Sequence, residues 1–200
     1  MRFGAAKQFV RLGDSSVLDR SVAAARARCA GVVVVLPASG AAWTPPPGVR
    51  TVAGGATRSD SVRAGLGSVP DGVEIVVVHD AARPLATPAL FERVIDAVRA
   101  GADAAVPAVA IPDTVKRVRD GHVVETVPRD DLVAVQTPQA FRRAALDHAH
   151  TGNGIETDDA ALVEAAGGKV VIVPGEPRNL KLTHADDLDV LRAMLDREDV

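Results

Sequence analysis

Apolar runs separated by polar turns set the pattern of this chain. Gly31-Val32-Val33-Val34-Val35-Leu36-Pro37 and Ile75-Val76-Val77-Val78 are uninterrupted and rich in β-branched residues. Both read as strands buried on two faces. Further strands are predicted over 49–52, 104–111, 132–138 and 169–173, the last at a sheet edge. Helices are predicted between them. Ser16 caps one from 17 to about 27, Thr57 with Asp60 opens a second, and Thr87 caps a third from Pro88 to about 100. Leu90, Val94, Ile95 and Val98 form the apolar stripe of that third helix. A helix from 142 to about 150 follows, then one over 160–166 capped by Thr157-Asp158-Asp159. The last is capped by Thr183 with Asp186. Residues 113–118 and 123–127 break this pattern by alternating polar and apolar positions around Gly121, which predicts a hairpin with both faces partly wet. Set among buried strands, it is expected to project as an arm over 112–131, and projecting arms often pack on a partner subunit. Strands alternating with helices predict one α/β domain over 1–200 with a mostly parallel sheet.

Composition narrows the function classes. Hydrophobic residues make up 47% and charged residues 24%, which excludes a disordered or fibrous chain. Aromatics are 2%, so a platform for stacking single-stranded nucleic acid is not expected. A net charge of −3 gives no general nucleic-acid surface. No apolar run reaches membrane-spanning length, so no membrane partner is expected. The single cysteine, Cys29, allows no internal disulfide and fits a reducing, cytoplasmic setting. Of 23 basic residues only four are lysines, Lys7, Lys116, Lys169 and Lys181. Arginine fills the ordinary surface, which singles out the lysines for roles that want a compact ammonium.

Candidate chemistry gathers where strands end. The run 75–78 stops on His79-Asp80, passes Ala81-Ala82 and meets Arg83-Pro84. Two readings fit: a strand end closed by an Asp–Arg pair, or one wall of the ligand crevice that open α/β sheets carry at their carboxyl ends. Gly54-Gly55-Ala56-Thr57-Arg58-Ser59-Asp60-Ser61 joins a strand to a helix N-terminus. That suits either an αβ turn or an anion-holding loop. It matches neither a phosphate-binding loop of the Walker type nor a dinucleotide fingerprint. The polar residues so placed are Lys7, Arg58, Asp80, Arg83, Thr114, Arg129, Thr137 and Lys181. There is no nucleophile elbow and no Cys/His metal spacing. His148 and His150, two apart on a helix, make a poor metal pair and are expected at the surface. A basic crevice with one carboxylate suits phosphates and a magnesium ion. Positioning and charge neutralisation would then do most of the catalysis.

The motifs together resemble a family. Gly54-Gly55-x-x-Arg58-x-x-Ser61-Val62, Val78-His79-Asp80-Ala81-Ala82-Arg83-Pro84, Asp113-Thr114-x-Lys116, Gln136-Thr137-Pro138-Gln139, Thr157-Asp158-Asp159 and Asn179-Leu180-Lys181-Leu182-Thr183 stand in the order and spacing of the methylerythritol phosphate cytidylyltransferases. The resemblance covers nearly the whole chain. It implies a Rossmann-like nucleotidyltransferase fold, CTP as donor, a polyol phosphate as acceptor, magnesium held mainly through the CTP phosphates, and a homodimer joined by the hairpin arm. By the same resemblance Gly55, Arg58, Ser61 and Ala81 lie at the nucleotide, and Asp80, Arg83, Thr114 and Thr137 shape the sugar-phosphate site. Arg2 and Lys7 stabilise the leaving pyrophosphate. Arg129 and Lys181 position the attacking phosphate, with Thr114 and Arg129 serving the partner's site. The family begins with a strand and a glycine-rich loop that wraps the triphosphate, and the sequence is expected to lack both, with weak or no activity if so. Ala6 and Ala56 replace a proline and a polar residue usual in the family. Two other readings stay open: a cytidylyltransferase for another polyol phosphate such as ribitol phosphate, and a silent nucleotide-binding dimer.

Overall fold

The computed structural model describes residues 7–37, 43–151 and 158–196. Arg2 and Thr157 lie outside them. The described residues form six α-helices, α1 (Val17–Arg26), α2 (Arg58–Leu66), α3 (Pro88–Arg99), α4 (Arg143–Ala149), α5 (Asp159–Ala165) and α6 (Asp187–Leu195). Local sequence starts most of them. Ser16 accepts the Asp19 N–H and Asp19 returns the bond to the Ser16 N–H, each at 3.1 Å. Thr57 and Asp60 close the same box on α2 at 3.0 Å each way. Thr87 caps α3 with Pro88 in its first turn. Asp158, within the expected 157–159 cap, caps α5. One expected cap shifts: before α6 the Asp187 carboxylate, not Thr183, accepts the free amides of Thr183 and His184 at 2.7 Å each.

A short hairpin, β1 (Arg11–Leu12) and β2 (Ser15–Ser16), leads into α1. The remaining strands are β3 (Val32–Leu36), β4 (Val49–Ala53), β5 (Ile75–Val78), β6 (Ala104–Ala110), β7 (Val115–Arg119), β8 (His122–Val127), β9 (Val133–Val135), β10 (Gln139–Arg142) and β11 (Val170–Pro174). The main sheet runs β11-β6-β10-β5, with β9 added to the far end of β6. The α/β class holds, but the sheet is mixed rather than mostly parallel: β11 pairs β6 in parallel, whereas β10 runs antiparallel to both β5 and β6. β10 follows the arm and the short strand β9 without a crossover helix, and a parallel insertion would need one. The run predicted as one strand over 132–138 is split in the same way, with Gln136-Thr137-Pro138 turning between β9 and β10.

β3 and β4 pair in parallel as a separate two-stranded unit. Helices bridge the two sheets. On one face Gly65 of α2 lets the helix approach Val35, while Leu66 packs with Val76 and Val78. On the other, Leu18 and Val22 of α1 pack on Val34 and Ala81. Only Val34 of the two all-apolar strands is buried, and the rest are half-buried. Full burial on both faces therefore does not hold. β3 and β5 each keep one edge with no strand partner among the described residues, and an edge leaves backbone and flanking side chains accessible. The deep core lies around β6 and β10, where Ala104, Val106 and Phe141 meet Leu146 and Val163.

The hairpin β7–β8 turns on Asp120 and Gly121, both at positive φ (49° and 77°), the conformation a two-residue hairpin turn requires. It packs on neither sheet by strand pairing. Phe141 is fully buried at the junction of β5, β6 and β10. Phe141→Ala is expected to lose about 3–5 kcal/mol of stability in urea unfolding; a loss below about 1 kcal/mol would show that this junction is not the core.

Candidate functional site

The site is assembled at the carboxyl end of β5, where three loops meet. Asp80 sits just past that strand. Its backbone N–H donates to Thr137 Oγ1 at 2.9 Å. Gln139 pairs with Val78, so Thr137 falls opposite Asp80 as the strands separate. Asn179 Nδ2 donates to the Thr137 carbonyl at 2.9 Å and to Gln136 Oε1 at 3.3 Å. Gln136 in turn donates to the Glu176 carbonyl and accepts the Glu176 N–H. Asn179 and Gln136 are both buried, so these amide bonds form where water competes little. They strap the loop after β11 onto the β9–β10 turn. The Leu182 N–H adds a bond to the Ala82 carbonyl at 2.8 Å. Lys181, held between these fastenings, reaches Asp80 Oδ2 at 2.6 Å.

Arg83 closes the other side of the loop. Its Nη1 donates to the Asn179 carbonyl at 2.7 Å and its Nη2 to the Val135 carbonyl at 3.4 Å. Burial pushes the Asp80 carboxyl up, but the hydrogen bond and charge of Lys181, with the charges of Arg58 and Arg83, outweigh it and hold the group below the ordinary carboxylate value. Three cations thus act on one carboxylate. His79 is half-buried beside them, edge-on to Phe91 with ring centroids 5.1 Å apart. Burial lowers its pKa to about 4, so it is neutral near pH 7.

The glycine loop forms a second wall. Gly54 N–H donates to the Leu36 carbonyl at 2.8 Å, and Gly55 N–H to Ser61 Oγ at 3.2 Å. A Cβ on Gly55 would lie 2.2 Å from the Asp60 Cβ, so only glycine fits there. Arg58, in the first turn of α2, pairs at 2.7 Å with Asp159 at the start of α5. Asp159 is fully buried and also accepts from His150 Nε2 at 2.9 Å. Burial pushes its carboxyl up, and the His150 hydrogen bond and the Arg58 charge bring it below the ordinary value. His150 is therefore not a surface residue; it is 7% exposed and serves as a buried partner. Only His148 of that pair matches the expectation of exposure.

Lys7 belongs to a single 3-10 turn, Lys7–Phe9. Its charge acts on Asp187, the carboxylate that holds the Thr183 and His184 amides two and three residues past Lys181. Thr114 and Arg129 stand at the base of the arm, with Arg129 hydrogen-bonded to the Pro112 carbonyl. Among the described residues no hydrogen bond or ion pair joins these two to the Asp80–Lys181 pair within one chain. Nor do the described residues gather three metal-ligating side chains anywhere.

The description "IspD: 2-C-methyl-D-erythritol 4-phosphate cytidylyltransferase" belongs to the family model that matches residues 1–197. The chain belongs to the IspD family. It is 51% identical over 153 residues to the 2-C-methyl-D-erythritol 4-phosphate cytidylyltransferase of Frankia casuarinae, covering 76% of this chain and 58% of that protein. It is 48% identical to the bifunctional enzyme IspD/IspF of Anaeromyxobacter dehalogenans, covering 98% of this chain and 54% of the relative. The chain thus spans about half the length of these curated relatives. The crystal structure of the 2-C-methyl-D-erythritol 4-phosphate cytidylyltransferase from Thermus thermophilus superposes with a TM-score of 0.85 at 36% identity, covering 98% of this chain and 100% of that one.

Within the chain, the strap through Asn179 is what brings Lys181 to Asp80. Asn179→Leu keeps the volume but leaves the Thr137 carbonyl without its donor. It is expected to cost about 1–3 kcal/mol in urea unfolding, the penalty of an unpartnered buried polar group. Unchanged stability would show that the strap carries no load.

Proposed function

We propose that this chain transfers a cytidylyl group from CTP to 2-C-methyl-D-erythritol 4-phosphate and releases pyrophosphate. The observation that supports this best is the convergence of Lys181, Arg58 and Arg83 on Asp80, because those four residues come from three separate family motifs. An acceptor phosphate oxygen attacks the α-phosphorus of CTP. One P–O bond forms to that phosphorus, the bond to the bridging oxygen of the β-phosphate breaks, and the electron pair leaves with pyrophosphate. The nucleophile is already an anion, so no strong general base is needed, and the chain's work is to align two polyanions and neutralise their repulsion.

The residues divide that work. Gly55, with no room for a side chain, lets the nucleotide approach the loop closely, and Arg58, Ser61 and Ala81 line the same wall. Asp80, Arg83, Thr114 and Thr137 shape the sugar-phosphate site. Lys7 and Arg2 stabilise charge on the triphosphate as pyrophosphate leaves, and Lys181 and Arg129 hold the attacking phosphate. In the free chain Lys181 is held by Asp80, so the acceptor phosphate takes over an ammonium that is already oriented. The residues fit a magnesium ion held mainly through the CTP phosphates: the site offers Asp80 as its carboxylate, and that group is engaged by Lys181. When bound, the ion supplies further positive charge at the phosphates.

The arm over 112–131 joins two copies in this reading. Val118, Val123 and Val124 on it are 58%, 60% and 51% exposed, an apolar surface that a dimer would cover. Thr114 and Arg129 then act in the partner's site, which accounts for their separation from Asp80 within one chain. A cytoplasmic setting suits the reading; no helix of the described residues is long and apolar enough to cross a membrane.

Phosphorus NMR of the chain with CTP, magnesium and the acceptor tests the assignment. Pyrophosphate release with methylerythritol phosphate well above that with ribitol phosphate is expected. Preference for ribitol phosphate, or CTP binding without release, would overturn it. Lys181→Ala should lower kcat by about 100-fold or more while CTP affinity changes by less than about threefold; equal losses in both would contradict the role given to Lys181. Mixed dimers of Arg129→Ala and Lys7→Ala chains should regain activity that neither homodimer has, and no complementation would contradict the shared site.

A further inference from the structure

His79 belongs to the motif His79-Asp80-Ala81-Ala82-Arg83-Pro84 but is not one of the residues proposed to touch substrate. Its ring nevertheless lies at the centre of a directed chain of hydrogen bonds. Nε2 stands 3.2 Å from the Arg83 carbonyl. A carbonyl oxygen can only accept, so Nε2 carries the proton. Burial keeps the ring neutral, so Nδ1 is a bare acceptor. Nδ1 lies 3.1 Å from Thr137 Oγ1. The single hydroxyl proton of Thr137 therefore points at Nδ1, and one of its lone pairs takes the Asp80 N–H at 2.9 Å. Thr137 is 6% exposed, its carbonyl is taken by Asn179, and its hydroxyl has no proton left to give a ligand.

We infer that His79 is a positioning residue: through the Thr137 hydroxyl it fixes the backbone of Asp80, and with it the carboxylate that orients Lys181. The sequence places the relay where ordinary strand pairing fails. Val78 is the last residue of β5 to pair with β10, and beyond it the Thr137 carbonyl opposite Asp80 is taken by Asn179 Nδ2. The Asp80 amide finds no ladder partner and takes a side-chain hydroxyl instead. A threonine hydroxyl rotates freely unless its proton is claimed. His79 claims it, and the Arg83 carbonyl fixes which ring nitrogen does so. The same relay thus locks the loop that carries both Asp80 and Arg83. The facing charges are Asp80, which favours the protonated ring, and Arg83, which disfavours it.

The inference rests on the proposed function only in taking Asp80 and Lys181 as part of the phosphate site, and one arm of its test is independent of activity. Long-range proton–nitrogen NMR of the unmodified chain should show His79 as the Nε2–H tautomer, unchanged from about pH 8 to about pH 5.5. An Nδ1–H tautomer, or a ring that titrates in that range, would overturn the relay. The second arm is kinetic. His79→Leu removes the acceptor, Thr137→Val removes the hydroxyl, and His79→Asn keeps an oxygen where Nδ1 stood. The two deletions should each lower kcat/KM for the acceptor about tenfold and together still about tenfold, because each breaks the same link. His79→Asn should recover most of the loss. Losses that multiply to about a hundredfold, or a His79→Asn loss equal to that of His79→Leu, would contradict a role through Thr137. An unmodified chain with no turnover would count against the proposed function, leaving the tautomer measurement to decide the relay.

Discussion

The contact between Lys181 and Asp80 joins two ends of strands from opposite halves of the chain, and the rest of the site depends on it. A carboxylate pushed into a half-buried position is costly unless cations meet it. Here Lys181 meets it at 2.6 Å, with Arg58 and Arg83 acting from further away. None of the three is on the same element as another. The fold must therefore hold three loops in register before the charges can balance, and it does so with buried amides rather than with more charge. Asn179 and Gln136 fasten the β9–β10 turn to the segment that carries Lys181. Arg83 fastens the same segment to the loop that carries Asp80. Amide hydrogen bonds of this kind add rigidity without the desolvation penalty that a buried ion pair carries.

Rigidity of this kind suits a reaction in which the nucleophile needs no activation. Bringing one phosphate against another is opposed by charge, and preorganised cations oppose that repulsion without reorganising when the reaction occurs. The second buried carboxylate, Asp159, applies the same logic one wall away. It holds Arg58 from α5 and is itself held by His150, so the arginine is aimed before any ligand arrives. Two acids, Asp80 half-buried and Asp159 fully buried, each committed to a cation, thus define the two walls of the crevice.

Much of this was legible in the residues alone, and the part that was not has physical reasons. Caps at Ser16, Thr57 and Thr87 are local interactions and read directly from spacing. Asp187 escaped notice because a carboxylate reaching back to amides before its own helix leaves the same pattern as a threonine cap. β10 was missed because Gln139-Ala140-Phe141-Arg142 lacks a β-branched run, and its antiparallel direction depends on a connection, not a composition. His150 was misplaced since spacing on one helix says nothing of α5 packed against it. The chemistry-bearing residues Asp80, Arg83, Thr137, Arg58 and Lys181 stood out as polar groups at strand ends. Asn179, Gln136 and His79 did not, because a buried amide or a neutral imidazole gives no sign of its role until its partners are in place.

The central claim is that Lys181 sets the state of the Asp80 carboxylate. Carbon-detected NMR titration of Asp80 in the unmodified chain and in Lys181→Met measures it directly. Because the folded-state value is depressed, the pair's contribution to stability is complete above the ordinary carboxyl value of about 3.9 and is lost as pH falls through the lower folded value. The account predicts a midpoint below that ordinary value, rising clearly in Lys181→Met as burial acts with less opposition. A midpoint at or above the ordinary value in the unmodified chain, or one that Lys181→Met leaves in place, would contradict it.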